Sequence, residues 1–250
     1  MANTTPTELL LLASRSGGTK TLVRALWAGA DIEDKELDGR TAAMWAASHG
    51  NAECLSLLIE AGADLEAKDS NGRTVSMFAA RAGEAQCLSL LIKAKANIDA
   101  KNSNGLTALM MVVSKGNAEC LSLLLKAGAD LEAKDSNGWT AAMLAVSYGE
   151  ADFLSLLIKA GADLEAKDLD GRTASMVAAS NGHVDCLSLL IKAGVEVEAK
   201  DSNGRTVAMW AASFGNAECQ RMIETEIERR TIAGEISVPS TAKQSSSLRV

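Results

Sequence analysis

Five cysteines are the first candidates for chemistry. Cys54, Cys87, Cys120, Cys186 and Cys219 occupy one slot of a recurring pattern, with Phe153 in the remaining slot. Thiols in such a row could ligate a metal or pair as disulfides. The slot falls on the apolar stripe of a helix, however, and stacked helices stand roughly 8–10 Å apart. A disulfide needs Cα atoms within roughly 7 Å. The row therefore reads as reduced cysteines packed as small hydrophobes, and their number without spaced pairs favours a reducing compartment. A second row is Met44, Met77, Met110, Met143, Met176 and Met209. Thioethers can hold haem or copper, but this row reads as a packed core ladder. The two histidines, His49 and His183, leave nothing from which to build a histidine-based metal or catalytic site. No nucleophile elbow, P-loop or dinucleotide fingerprint occurs. These residues point to a non-enzyme with no metal and no cofactor.

The elements that position these rows follow from a period. Gly39, Gly72, Gly105, Gly138, Gly171 and Gly204 are each 33 residues apart, and so are Thr41, Thr74, Thr107, Thr140, Thr173 and Thr206. Self-similarity at a fixed period signals a stack of small units. In one unit, Asp38-Gly39 is a tight turn and Thr41 a helix N-cap. Residues 42–49 form a short helix stopped by Gly50, and Ala43, Ala46 and Ala47 let a neighbour approach closely. Asn51 caps a second helix. Its Cys54, Leu57, Leu58 and Ala61 fall at the spacing of one buried face, widened by Leu55 and Ile59. Gly62 is a left-handed C-cap, and an extended charged connector follows. Neither helix can bury its apolar face alone, so the units must stack as a solenoid.

Composition agrees with this. The chain has 250 residues, 47% of them hydrophobic but only 3% aromatic, so leucine and alanine must supply the core. No apolar run approaches the roughly 18 residues of a membrane span, and no signal peptide is expected. A net charge of −7 argues against a nucleic-acid partner. The expectation is a cytoplasmic chain with no membrane contact, most simply a monomer.

The run Gly39-Arg40-Thr41-Ala42-Ala43-Met44-Trp45-Ala46-Ala47, then Gly50-Asn51, Glu53-Cys54-Leu55 and Gly62-Ala63-Asp64, resembles the ankyrin repeat. The resemblance spans about residues 7 to 233. It implies an all-α solenoid of helix-turn-helix units with short β-turn fingers, and a general protein-binding scaffold. Three departures stand out. The family's proline is alanine or valine. Its histidine, which by resemblance links units through hydrogen bonds, is methionine in all six turns and must work by packing. The family's asparagine after the Gly-Ala-Asp segment is Glu66, Asp99, Glu132, Glu165 or Glu198, so the asparagine modification known in such arrays lacks its residue there. In addition, Lys95 replaces a capping glycine, which predicts a locally strained loop.

The organisation expected is a flexible N-terminus (1–6), an N-terminal capping repeat (7–37), five internal repeats (38–70, 71–103, 104–136, 137–169, 170–202), a C-terminal capping repeat (203–233) and a disordered tail (234–250). Gln220, Arg221 and Glu224 make the last second helix polar. The end Leu248-Arg249-Val250 is a weak PDZ-type ligand pattern beside the simpler reading of a solvated tail.

Residues that differ between near-identical units mark the candidate partner-binding face. Helical spacing groups Trp45 with His49, Phe78 with Arg81, Leu144 with Tyr148 and Trp210 with Phe214; Met111 holds the same slot in its unit. The slot after the turn glycine is Arg40, Arg73, Leu106, Trp139, Arg172 or Arg205. An apolar centre with an arginine rim is one arrangement of interface hot spots; neutral drift between duplicated units is the other reading. The first reading implies a protein or peptide partner with an apolar anchor and acidic flanks. The function expected is a non-enzymatic scaffold. The alternatives are an inhibitor that occludes an enzyme or transcription factor, and a host-directed effector of an intracellular organism.

Overall fold

The structure, a computed structural model, describes residues 4–234. The expected disordered tail from 235 onward, and with it the Leu248-Arg249-Val250 pattern, lies outside the described residues.

Fourteen helices run in seven pairs among the described residues, and no strand occurs among them. The pairs are α1 (Pro6–Ser16) with α2 (Thr19–Trp27), α3 (Ala42–Ser48) with α4 (Ala52–Glu60), and α5 (Val75–Ala82) with α6 (Ala85–Lys93). Next come α7 (Ala108–Val113) with α8 (Ala118–Lys126), α9 (Ala141–Ser147) with α10 (Ala151–Lys159), α11 (Ala174–Asn181) with α12 (Val184–Lys192), and α13 (Val207–Ser213) with α14 (Ala217–Ala233). Odd-numbered helices pack side by side in one layer and even-numbered helices in a second. Each even helix also packs on the odd helix before it. The fold is an α-solenoid, as the period predicts.

The core is a ladder of repeated side chains. Leu55, Leu88, Leu121, Leu154 and Leu187, and their partners Leu58, Leu91, Leu124, Leu157 and Leu190, are fully buried. Each stabilises the stack by about 1.5–3 kcal/mol relative to an exposed leucine. The buried residues of α4 are Ala52, Cys54, Leu55 and Leu58; of the expected face, Leu57 and Ile59 are half-buried, and Ala61 lies one residue past the helix end and faces solvent. The methionine row packs as expected: Met44, Met77, Met110, Met143 and Met176 are at most 1% exposed. Met209 is 53% exposed, since among the described residues no further odd-numbered helix packs beyond α13 to cover it.

At the N-terminal end, Thr5 and Pro6 form a helix start rather than a flexible lead-in. The Thr5 hydroxyl accepts from the Glu8 N–H at 3.2 Å, and Glu8 Oε2 accepts from the Thr5 N–H at 2.7 Å. This is a reciprocal capping box.

Three bonded rows tie each unit to the next. Turn backbones pair, with Ser70, Ser103, Ser136, Leu169 and Ser202 N–H donating to the carbonyls of Asp38, Asn71, Asn104, Asn137 and Asp170 at 2.9–3.1 Å. This close approach needs glycine in the turn: a Cβ on Gly39 would lie 2.7 Å from Ser70 N. A carboxylate row uses the acidic slots. Glu33, Glu66, Asp99, Glu132 and Glu165 accept the N–H of Asp64, Asn97, Asp130, Asp163 and Glu196, each 31 residues on. In a lysine row, Lys35, Lys68, Lys101, Lys134 and Lys167 each donate Nζ to a lysine carbonyl 33 residues on. Asn51 adds a fourth kind of link. Its side chain does not cap α4 as expected but reaches back to the Ser14 and Arg15 carbonyls at 2.8 and 2.9 Å.

Lys95 holds φ 62°, the single non-glycine residue with positive φ among the described residues. The strained loop read from its sequence slot is therefore present.

Candidate functional site

The turn fingers and the C-terminal ends of the odd helices present the sequence-variable slots. In four of the six fingers (Asp69, Asp135, Asp168 and Asp201) an aspartate four residues before the variable turn slot organises the finger; Glu36 and Asn102 hold the same place in the other two. Asp69 Oδ1 accepts the N–H of Asn71 and Arg73 at 2.9 and 2.7 Å, and its Oδ2 accepts Arg73 Nε at 2.7 Å. Asp168 and Arg172 repeat this with Nε to Oδ2 at 2.8 Å, and Asp201 and Arg205 at 3.0 Å. Burial pushes the Asp69 and Asp201 carboxyls up. The backbone and guanidinium hydrogen bonds, with the arginine charge, outweigh burial and hold both below the ordinary aspartate value. Arg40 pairs differently, with Nε 2.9 Å from Asp38 Oδ2.

The arginines and aromatics interleave between units rather than forming a rim around a centre. Trp45 lies between Arg15 and Arg40, whose guanidinium carbons are 3.9 and 4.4 Å from its ring centroid. Phe78 lies between Arg40 at 4.9 Å and Arg73 at 4.6 Å. Trp210 has Arg205 at 3.7 Å and Arg172 at 5.8 Å, and Arg172 is also 5.8 Å from Trp139. Indole N–H groups join in: Trp45 donates to Glu36 Oε2 at 3.1 Å and Trp210 to Asp201 Oδ2 at 3.2 Å. Glu36 also pairs with Arg15.

Two stacks result, one running Arg15, Trp45, Arg40, Phe78, Arg73 and the other Trp139, Arg172, Trp210, Arg205. Leu106, Met111 and Leu144 occupy the slots between them. At this break Arg73, Arg81, Leu106 and Met111, with Asn71, Asn102, Ser103, Asn104 and Ser114, line a recess of about 350 Å³. Arg81 is exposed there and forms no ion pair with the described residues.

The candidate residues thus divide. Phe78, Met111 and Trp210 are buried, and Trp45, Leu106, Trp139 and Leu144 are half-buried. Tyr148 is 53% and Phe214 60% exposed, and His49 is exposed with its ring centroid 5.5 Å from that of Trp45. Phe214 stacks on Trp210 with centroids 5.8 Å apart. Arg40, Arg73, Arg172 and Arg205 are occupied by carboxylates and rings of their own array. Sequence reasoning missed Arg15, Glu36 and the aspartates Asp69, Asp168 and Asp201. The i, i+4 spacing of Asp and Arg was the signal that could have found the aspartates.

The cysteines are buried and unpaired. Burial, with a smaller contribution from nearby acidic groups, pushes the Cys87, Cys120 and Cys186 thiols up to about 11. Such thiols are poor nucleophiles and poor metal ligands at neutral pH. No helix of the described residues is long and apolar enough to cross a membrane.

The profile of the family described as ankyrin repeats (3 copies) matches residues 10–102, 77–168 and 165–228. No curated protein matches the chain. Among solved structures it is similar to the ankyrin repeat domain of Bcl-3, described as a unique member of the IkappaB protein family. The two share 26% identity and a TM-score of 0.78 over 85% of this chain and 97% of that one.

Proposed function

Because the chain belongs to the ankyrin-repeat family, we propose that it is a non-enzymatic scaffold that binds a protein partner through its fingers and odd-helix ends. The observation that carries this reading is the break between the two arginine–aromatic stacks. To either side Trp45, Phe78 and Trp210 are paired with arginines of the array. At the break the half-buried Leu106, with Met111 buried behind it, lines a recess beside the exposed, unpaired Arg81, and Tyr148 is exposed in the following unit. An apolar anchor of the partner fits this recess, and an acidic group beside that anchor fits Arg81. The caps at 7–37 and 203–233 confine binding to the face between them. The five buried thiols favour a reducing, intracellular setting.

The test uses the tagged full chain to capture its partner from the native source, followed by titration calorimetry with that partner. Trp139→Ala and Tyr148→Ala each weaken binding by well over 1 kcal/mol if they anchor the interface. Unchanged affinity in both variants removes the assignment. A second reading is that the array occludes an enzyme or transcription factor, supported by its likeness to an IkappaB-family repeat domain. An activity assay on the captured partner separates the two.

A further inference from the structure

The finger aspartates differ in one respect that the fold does not require. At Asp69, Asp168 and Asp201, Oδ1 takes two backbone N–H groups and Oδ2 takes the guanidinium of the arginine four residues on. In the finger where that arginine is Leu106, the carboxylate is lost with it. Asn102 Oδ1 still accepts the N–H of Asn104 and Leu106, at 2.9 and 2.8 Å. The turn therefore needs one oxygen and no charge. In the next finger the arginine is replaced by Trp139, yet the charge is kept. Asp135 Oδ1 accepts the N–H of Asn137 and Trp139, both at 2.8 Å, and no guanidinium pairs with Asp135. The aspartates at this slot that hold an arginine, Asp69, Asp168 and Asp201, are buried, whereas Asp135 is half-buried; Glu36, also half-buried at this slot, has its charge matched by Arg15.

The ring beside it is also half-served. Trp45, Phe78 and Trp210 each lie between two guanidiniums. Trp139 stands in the turn slot rather than in theirs; its ring has Arg172 of the following finger at 5.8 Å, and the preceding finger offers Leu106 in place of an arginine. One group satisfies both the open carboxylate oxygen and the ring. A guanidinium forks onto carboxylates and stacks on indoles, whereas an ammonium offers only a point charge.

We infer that Asp135 and Trp139 form a docking site for an arginine side chain of the partner protein, which supplies in trans what Arg73, Arg172 and Arg205 supply in cis. The inference rests on the protein-binding reading above and names one chemical feature of the partner.

The test is an NMR titration of the isotope-labelled full chain with acetyl-arginine methylamide and, separately, acetyl-lysine methylamide. The arginine probe is expected to give saturable shifts at the Asn137 and Trp139 amides and the Trp139 indole N–H. Asp135→Asn keeps the turn, as Asn102 does, and weakens the probe by about tenfold, the loss of one charge-assisted pair. Trp139→Arg fills the site in cis and abolishes the response without lowering the melting temperature. No saturable shift, an undiminished response in Asp135→Asn, or equal binding of the lysine probe overturns the inference. A chain that captures a partner but ignores the arginine probe overturns this site alone. A chain that binds the probe but captures no partner overturns the scaffold reading alone.

Discussion

Arg73 Nε donates to Asp69 Oδ2 at 2.7 Å while the Asp69 side chain is fully sequestered from solvent. A buried carboxylate of this kind is tolerated only while its charge is matched. Finger order is thereby coupled to the ionisation of a few acids.

That coupling sets a pH dependence. Asp69, Asp201 and Glu226 have folded values below their ordinary ones; for Glu226 the cause is chiefly its hydrogen bond from Arg229, with Arg230 adding to it against burial, and the value falls to about 2. A depressed folded value means stability that is complete above the ordinary value and lost as pH falls through the folded one. Urea midpoints should therefore decline from about pH 4.5 to about pH 2. The combined Asp69→Asn, Asp201→Asn, Glu226→Gln variant should be less stable at pH 7 and decline less over that window. Parallel profiles for the two proteins would refute this.

Lys95 offers a gain. Its glycine counterparts Gly29, Gly62, Gly128, Gly161 and Gly194 hold φ of 78–89°, and Lys95 is forced to 62°. Lys95→Gly should raise stability by roughly 1 kcal/mol, read as a higher urea midpoint at unchanged slope. A fall in the midpoint would show that lysine is not strained there.

Ser76 offers another. Its hydroxyl is buried and has no hydrogen-bond partner, whereas Ser175, at the same slot, pairs with Thr173 at 2.8 Å. Alanine already holds this slot at Ala43 and Ala142. Ser76→Ala should stabilise by about 1 kcal/mol, and Ser175→Ala should not. Equal effects at the two sites would remove the distinction.

The thiols should be silent until the stack opens. Cys54, Cys87, Cys120, Cys186 and Cys219 are at most 1% exposed. At pH 8 a thiol-specific chromogenic reagent should leave the native chain unlabelled and react with all five after denaturation. Rapid labelling of any one in the native chain would contradict its burial.

The sequence made the stack legible because each helix, turn and cap depends on residues a few positions apart. The period placed the pairs, the methionine row and even the Lys95 loop. The arginine–aromatic interleaving was not legible. Arg40 touches Trp45 five residues away in its own unit and Phe78 in the next, and that second contact depends on how the units stack. Read along the chain, Trp45, Phe78 and Trp210 looked like free anchors and the arginines like a rim. Stacking turned them into partners of one another, and the unmatched residues, Asp135 and Arg81, became the informative ones.

The bonds of the lysine and carboxylate rows each recur at the 33-residue period, so the array tolerates gain or loss of whole periods but not fractions of one. Excising residues 104–136 would let Lys101 reach the Lys167 carbonyl and Asp99 the Asp163 N–H, as each now reaches its present neighbour. The same excision would bring Asn102 four residues before Trp139, in the place of Asp135. A duplication history that leaves the scaffold intact can thus create or erase the one finger whose charge is unmatched, and binding can change while folding does not.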